Sequence, residues 1–203
     1  MDHLRRVLEK KLYQQPDEAV SRGDQDLNPD WEAPGTEHAL IAAAVLVPLI
    51  ERPDGIHVLL TKRTEDMPTH PGQVSFPGGR VQNEDRTHAE AALRETHEEV
   101  GIVPGHVTIA GFLDHYETGS NYRILPVVGI VNPYARVKID PREVDLVFEV
   151  PLSFLMDPAH HEKRSVEWNG ALRYYYAIPY KNHKIWGATA GMIRSLYERL
   201  YGS

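Results

Sequence analysis

The stretch that decides the fold is Arg94-Glu95-Thr96-His97-Glu98-Glu99-Val100-Gly101-Ile102, which ends a segment that begins with Phe76-Pro77-Gly78-Gly79. Between these two motifs, Thr87 and Glu90 have the Thr-x-x-Glu spacing of a capping box, which predicts a helix over 87–100. Gly101 predicts a left-handed stop directly after that helix. The segment therefore predicts a glycine-rich turn, a capped helix and a glycine stop.

Three glutamates crowd the last turns of this helix: Glu95, Glu98 and Glu99. Residues three and four apart are neighbours on a helix, so each like-charged pair destabilises an isolated helix by about 0.2–0.5 kcal/mol. Negative charge near a helix C-terminus is also unfavourable against the helix dipole. Hard divalent cations with oxygen ligands are a natural counter-charge for such a group. The alternative is a solvated acidic face that Arg94 partly relieves.

Helical periodicity also predicts which side of this helix is buried. At about 100° per residue, four residues share the face that we expect to contact the core: Ala89, Leu93, Thr96 and Val100. The three glutamates are expected on the other side. The two glycines that precede the helix, Gly78 and Gly79, allow backbone amides to approach a phosphate closely.

Outside this segment, strands and helices are interspersed, which predicts a mixed α/β layered domain. Apolar runs bounded by Pro, Gly or Asp predict strands over 39–50, 55–63, 74–76, 107–113, 124–131, 144–150 and 172–178. Helical spacing of apolar residues predicts further helices over 4–12 and 189–201. The segment 15–37, rich in Pro, Gly and acids, is predicted to be a wrapping loop. We therefore divide the chain into an N-terminal helix and loop over 1–37 and a main domain over 38–203.

Composition excludes several kinds of chemistry. The 203 residues include no cysteine, which excludes disulfides, Cys-ligated zinc, iron–sulfur clusters and a thiol nucleophile. The chain has 22 basic and 29 acidic residues and a net charge of −7, a poor match for nucleic-acid binding across its whole surface. No apolar run reaches the about 20 residues of a membrane-spanning helix, and no export signal is visible. We expect a cytoplasmic protein that binds neither nucleic acid nor membrane, and a homodimer is left open.

The spacing from Gly79 to Ile102 resembles the Nudix box, which reads Gly, five residues, Glu, seven residues, Arg-Glu-apolar-x-Glu-Glu-x-Gly-apolar. Asp85 stands in place of the first Glu, and eight residues rather than seven separate it from Arg94. Thr96 stands where an aliphatic residue is usual. The Arg-Glu-x-x-Glu-Glu-x-Gly half is intact, so the part of the box that binds metal is the better supported part.

The one-residue insertion is similar to the coenzyme A diphosphatase branch of the Nudix hydrolases, and so is a signature upstream of the box. The matching residues are Leu59-Leu60-Thr61-Lys62-Arg63-Thr64, then Gly72, then Phe76-Pro77-Gly78-Gly79. Thr64 replaces the usual Ser of that signature, and Pro68 stands where it has a second Arg. The resemblance extends over residues 38 to 200.

This resemblance implies a Nudix-type α/β/α sandwich with a mixed β-sheet, and a hydrolase that cleaves a diphosphate linkage. It implies a Mg²⁺ or Mn²⁺ cofactor held by Glu95, Glu99 and Glu98. Arg94 is expected to orient the carboxylates through a salt bridge. The general base is left open between Glu98 and a fourth carboxylate, for which Glu143 is the candidate. The residues expected to contact substrate phosphates are Arg63, Lys62, Gly78 and Gly79.

The resemblance implies coenzyme A as the small-molecule nucleotide substrate, cleaved to 3′,5′-ADP and 4′-phosphopantetheine. Pro68 offers neither the charge nor the donors with which Arg binds phosphate. This departure motivates a second hypothesis, in which the substrate is ADP-ribose, a dinucleotide or a nucleotide sugar. A third hypothesis is a non-catalytic nucleotide-binding domain, against which the three intact glutamates argue.

Overall fold

A computed structural model describes residues 2–29, 39–168 and 170–202. In these ranges the α-helices are α1 (Asp2–Lys11), α2 (His88–Val100), α3 (Leu152–Leu155) and α4 (Ala188–Tyr201). One sheet of nine strands contains β1 (Ser21–Gly23), β2 (Ile41–Arg52), β3 (Gly55–Arg63), β4 (Val74–Ser75), β5 (Gly78–Arg80), β6 (Val107–Phe112), β7 (His115–Glu117), β8 (Tyr122–Val131) and β9 (Val144–Pro151). A second sheet contains β10 (Glu162–Trp168), β11 (Ala171–Tyr180) and β12 (His183–Trp186).

The long strand β2 organises the larger sheet. On one side it pairs in parallel with β8, which continues the sheet through β6 and β7, and β1 adds to β7 in parallel. Its other partners are antiparallel: β5 pairs with residues 43–45 of β2, and β3 pairs with residues 49–52. β3 in turn pairs with β4 and β9. The sheet is therefore mixed, as the sequence predicts.

Helices cover both faces of this sheet. Successive residues of β2 point to opposite sides of the sheet, so neighbouring residues contact different helices. Val47 packs in the larger core cluster, to which α1 contributes Leu8 and α4 contributes Leu196. The neighbouring Leu46 packs in a second cluster with Ala92 of α2. The α/β/α sandwich that the sequence predicts is confirmed, with α2 on one face and α1 and α4 on the other.

The buried face of α2 differs from the prediction. Its buried residues are Ala91, Ala92, Thr96, Glu99 and Val100, whereas Ala89 and Leu93 are only half-buried. The prediction that all three glutamates face away from the core is wrong for Glu99, which is only 3% exposed. The Glu99 carboxylate instead faces Gly78 of β5 and Arg63 of β3, and segment 138–140 packs along the end of the helix. There the Lys138 N–H donates to the Val100 carbonyl (2.8 Å) and the Asp140 N–H to the Glu99 carbonyl (2.9 Å).

The N-terminal segment contains the predicted helix, and the stretch predicted to be a wrapping loop contains a short strand among its described residues. α1 buries Leu8 and Leu12 in the core, and β1 joins the larger sheet, a strand that the sequence did not predict. After β1, the Asp24 carboxylate accepts hydrogen bonds from the Tyr116 hydroxyl (3.0 Å) and the Gly119 N–H (2.9 Å). The proposed boundary between residues 37 and 38 lies outside the described residues.

Candidate functional site

Local sequence determines where α2 begins and ends. The Thr87 hydroxyl accepts a hydrogen bond from the Glu90 N–H (3.1 Å), as the capping box predicts. The Glu90 carboxylate accepts from the Arg86 N–H (2.8 Å), one residue earlier than in the standard box. At the other end Gly101 has a left-handed φ of 71°, and its N–H donates to the His97 carbonyl (2.9 Å). These two ends determine that all three glutamates lie in the last two turns of the helix.

Arg94 gathers the acidic side chains around one guanidinium. Its Nη1 donates to Glu95 (2.7 Å) and to Glu98 (3.1 Å), while Nε and Nη2 donate to the two oxygens of Asp85 (3.0 and 2.9 Å). Nη2 also donates to the Arg80 carbonyl (3.1 Å). Hydrogen bonding to Arg94 lowers the pKa of Asp85. The sequence singled out Asp85 only as a departure from the box, and its function as the bidentate partner of Arg94 was missed.

Glu95 lies against the backbone of β5. A Cβ added to Gly79 would lie 2.5 Å from the Glu95 carboxyl carbon, so this approach requires glycine. Burial raises the pKa of Glu95, and Arg94 opposes that rise. The charges of Glu98 and Glu143 raise the same pKa further.

Glu99 is the most buried of the helix carboxylates. Its Oε2 accepts a hydrogen bond from the Gly78 N–H (3.2 Å), and its Oε1 lies 3.7 Å from Nη1 of Arg63. Burial raises the pKa of Glu99 to about 8, and the charges of Glu95 and Glu143 add to the effect of burial. Because the Gly78 N–H donates to Glu99, that amide is not available to a phosphate.

Glu143 lies just before β9, on the same side of the molecule as these glutamates. Its backbone carbonyl accepts a hydrogen bond from the Thr64 N–H (3.0 Å). Its charge raises the pKa of both Glu95 and Glu99. The position is compatible with a fourth acidic group of the site, and its role stays a prediction.

The two cations expected to contact phosphate point in different directions. Adjacent residues of a strand face opposite sides of the sheet, and only Arg63 faces Glu99. Lys62 instead forms ion pairs with Asp145 (3.2 Å) and Glu65 (3.4 Å). The structure therefore brings Arg63 to the glutamates and places Lys62 beside the loop that follows β3.

Comparison with known proteins identifies the family. A model of the NUDIX domain matches residues 40–174. The chain belongs to the Nudix family. An Enterobacter sp. (strain 638) protein named "Uncharacterized Nudix hydrolase NudL" is 41% identical over 154 residues, which cover 76% of this chain and 80% of that protein. The Escherichia coli (strain K12) protein of the same name is 38% identical over equal shares.

A solved structure supports the fold independently. The NUDIX domain of Shewanella oneidensis NrtR, solved with ADP ribose, matches with a TM-score of 0.51 and 17% identity. The match covers 86% of this chain and 97% of that one. The family model and the relatives named Nudix hydrolase show that the chain is a Nudix hydrolase. Nudix hydrolases act on nucleoside diphosphate derivatives and generally need divalent metal ions. None of the described helices is long and apolar enough to cross a membrane.

The acidic side chains of this Nudix hydrolase fit a hard divalent cation by their chemistry. All donors are carboxylate oxygens, the ligand type that Mg²⁺ and Mn²⁺ prefer. Burial raises the pKa of Glu99 to about 8, so without a cation beside it this carboxyl favours its protonated form at neutral pH. Across 2–29, 39–168 and 170–202, no three acidic or histidine side chains converge tightly enough to enclose an ion. Arg94 holds Glu95 and Glu98 instead.

Arg94→Lys is expected to lower kcat by about 10–100-fold, as removal of partners that orient metal ligands does. Lysine keeps the charge but cannot donate to both oxygens of Asp85 while it also holds Glu95. Steady-state hydrolysis and thermal melting measure the effect. Arg86→Lys is the matched control, because the Arg86–Glu90 pair lies on the exposed start of α2. Equal losses in both variants would contradict the orienting role.

Glu99 is expected to make the metal-free protein less stable as the pH rises from about 4.5 to about 8. Its folded pKa exceeds the unfolded value, so the folded state binds more protons in this window and loses stability as they dissociate. Melting temperatures in EDTA at several pH values measure this decline, and Glu99→Gln should flatten it. Burial lowers the pKa of His115 and His161, which contributes the opposite slope below about 6.5. The difference between wild type and variant isolates Glu99, and parallel curves would refute the assignment.

Proposed function

We propose that the chain hydrolyses the diphosphate linkage of coenzyme A, giving 3′,5′-ADP and 4′-phosphopantetheine, with Mg²⁺ or Mn²⁺ as cofactor. The observation that carries the proposal is the buried Glu99 carboxyl group, which contacts the Gly78 N–H and Arg63. The charges of Glu95 and Glu143 add to the effect of burial in raising its pKa. A group of neighbouring carboxylates is suited to a divalent cation, and a cation bound there would make the site attractive to an anionic substrate. The upstream signature over 59–79 supports coenzyme A within this class.

The residues of the site have distinct tasks in this proposal. Glu95 and Glu99 hold the metal with help from Glu98, and Arg94 keeps their carboxylates oriented. A divalent cation bound there would neutralise diphosphate charge and lower the pKa of a water molecule. The Arg63 guanidinium, which lies 3.7 Å from Glu99, would contact a phosphate oxygen.

The proton of the attacking water needs an acceptor, for which Glu98 and Glu143 compete. Glu98 is the more exposed group, with 55% of its side chain accessible, and one of its oxygens is held by Arg94. Glu143 is free of that pairing and influences both buried glutamates. The pH–rate profiles of Glu98→Gln and Glu143→Gln distinguish the two, since only loss of the true base removes the acidic limb.

A second candidate function follows from the loop after β3. Pro68 carries no charge, and the same loop includes Glu65 and Asp66. These residues favour a nucleoside diphosphate derivative with fewer phosphates than coenzyme A, such as ADP-ribose, a dinucleotide or a nucleotide sugar. A domain that binds a nucleotide without turnover is a third candidate, which the intact glutamates disfavour.

A hydrolysis screen tests these proposals. Coenzyme A, ADP-ribose, NADH and nucleotide sugars are incubated with the protein and Mg²⁺ or Mn²⁺, and products are separated by chromatography. Release of 3′,5′-ADP from coenzyme A is the expected result. Turnover of ADP-ribose without coenzyme A would replace the first proposal with the second. Nucleotide binding without any turnover would establish the third.

A further inference from the structure

The outer strand of the three-stranded sheet, β10, has an open edge. Its register with β11 is continuous from Glu162, opposite Ala177, to Trp168, opposite Ala171. In the part of the chain that the structure describes, β11 is the only strand that pairs with β10, and residues 162–167 are all exposed. An unpaired strand edge presents a row of N–H and C=O groups to which another strand can add. The outer edge of β10 is therefore available to a further strand.

The contacts of β11 determine which backbone groups of β10 face this edge. The Asn28 carboxamide accepts a hydrogen bond from the Tyr174 N–H (2.8 Å) and donates one to the Tyr174 carbonyl (2.9 Å). Directly opposite residues of an antiparallel ladder exchange either both of their backbone hydrogen bonds or none. Ser165 lies opposite Tyr174, so it directs its N–H and C=O away from β11. Lys163 and Glu167, two residues to either side, do the same.

Lys163 and Glu167 carry opposite charges, and each lies two residues from the centre of β10. Both side chains are on one face of the sheet, because alternate residues of a strand share a face. The Lys163 ammonium lies over the Tyr174 ring, 4.5 Å from its centroid. Among the described residues neither Lys163 nor Glu167 has an ion-pair partner, whereas Arg164 and Glu162 pair with each other. β10 thus carries one cation and one carboxylate that are placed symmetrically about its centre.

We propose that β10 is a dimer interface, at which it pairs antiparallel with β10 of a second copy of this chain. The two-fold axis passes through Ser165, so that Ser165 lies opposite its own counterpart and the two copies exchange backbone hydrogen bonds there. Lys163 of each copy lies opposite the second copy's Glu167, which gives two equivalent ion pairs. A two-fold interface of this kind is self-complementary and uses one edge of each copy, so the assembly closes as a dimer.

The composition of β10 distinguishes pairing from protection of the edge. Natural sheets discourage edge pairing with proline, bulges or charged side chains, and β10 has no proline, no bulge and equal numbers of acidic and basic residues. Like charges directly opposite each other are destabilising, whereas an axis at Ser165 places Lys163 opposite Glu167. An axis at Arg164 would place two guanidiniums opposite each other. An axis at Val166 would place Lys163 and Glu167 opposite uncharged residues, so the charges also select the register.

The size of the interface determines how strong the dimer is. Pairing of two seven-residue strands buries less than the about 1,000 Å² of a stable interface, so we expect a dissociation constant of about 10⁻⁵–10⁻³ M. Both ion pairs are exposed, and each is worth about two- to fivefold in that constant. Reversing one charge of each copy turns both attractions into repulsions, which should weaken the dimer by at least about tenfold.

Sedimentation velocity over a concentration series that spans this constant tests the proposal. The wild type is expected to pass from monomer to dimer and no further. Lys163→Glu and Glu167→Lys should each stay monomeric to about tenfold higher concentration, because each places like charges opposite one another. An equimolar mixture of these two variants should dimerise as the wild type does, since one chain then presents two carboxylates and the other presents two ammoniums.

Lys184→Glu is the matched control, because it reverses an equal charge on β12 of the same sheet and should dimerise as the wild type does. Ser165→Pro tests the backbone pairing. Proline is tolerated where a strand N–H faces away from its neighbour, so this variant should keep the wild-type circular dichroism and lose the dimer. The mixture of variants decides the question even if Ser165→Pro unfolds.

Three results would overturn the inference. The first is a wild type that stays monomeric throughout the series, because the charges of β10 would then keep its edge unpaired. The second is association of Lys163→Glu and Glu167→Lys as strong as that of the wild type, or a mixture of them that associates no better than either alone. The third is growth to oligomers larger than a dimer, which an interface closed by a two-fold axis does not allow.

Discussion

Replacing Glu99 with glutamine is expected to abolish most of the hydrolysis. Glutamine keeps the shape of the side chain and still accepts a hydrogen bond from the Gly78 N–H, but it removes the charge that would hold a divalent cation. Metal catalysis supplies several kcal/mol of charge stabilisation, and each tenfold in rate is about 1.4 kcal/mol, so we expect kcat to fall by about 10²–10⁴-fold. Steady-state kinetics at saturating substrate and metal measure the loss.

Two controls separate this loss from misfolding and from a general effect of charge. Glu99→Gln should retain the circular dichroism of the wild type and, without metal, melt at the same or a higher temperature, because the raised pKa of Glu99 costs the wild type stability as the pH rises toward 8. Glu84→Gln removes an equal charge from the exposed segment before α2 and should retain activity. Undiminished catalysis in Glu99→Gln would refute the metal-ligand assignment.

The parts of the site that sequence predicts are those with local causes. Thr87 caps α2 and Gly101 ends it because each acts on backbone groups within four residues of itself. Arg94 contacts Glu95 and Glu98, its neighbours along the helix, for the same reason. The bounds of β3 also match the prediction for 55–63, since a continuous apolar run between turn residues leaves little choice of ends.

The burial of Glu99 could not be predicted in this way. A helical wheel treats a glutamate as outward-facing, but the Glu99 carboxylate faces the Gly78 N–H and Arg63, which belong to strands that the fold brings beside α2. The ladder that brings β5 beside β2 likewise depends on Gly78 and Gly79 fitting against Ala44 and Val45, which are far away in the chain. Long-range contacts made by backbone atoms leave no residue pattern to recognise.

The smaller sheet was missed for a different reason. Of its strands only β11 overlaps a predicted run, over 172–178, because β10 and β12 are rich in polar and charged residues. Such strands are stabilised by side-chain pairs with a neighbouring strand, and their sequences lack the alternation of apolar and polar residues that would predict them. The partners become apparent only from the register, in which Ser165 pairs with Tyr174 and Ile178 pairs with Ile185.

Alanine is expected to have different effects at the two glycines of β5: it should lower the stability of the protein at Gly78 and its activity at Gly79. Gly78 has a φ of 157°, and an added Cβ would lie 2.6 Å from the Val45 Cα, in the backbone of β2. Backbone cannot yield as a side chain does, so Gly78→Ala should destabilise the protein by about 2–4 kcal/mol through strain and overpacking. Chemical denaturation measures this change.

Gly79→Ala meets a different obstacle, because its Cβ would contact the Glu95 carboxylate, the movable end of a side chain. Glu95 can swing away at small cost to the fold, but it then leaves Arg94 and the position from which it would hold a metal. We therefore expect Gly79→Ala to melt near the wild-type temperature while kcat falls by about 10–100-fold, the loss typical of misplaced metal ligands. If Gly79→Ala lost as much stability as Gly78→Ala, β5 would tolerate no side chain at either position. If Gly79→Ala kept full activity, catalysis would not require Glu95 to lie against Gly79.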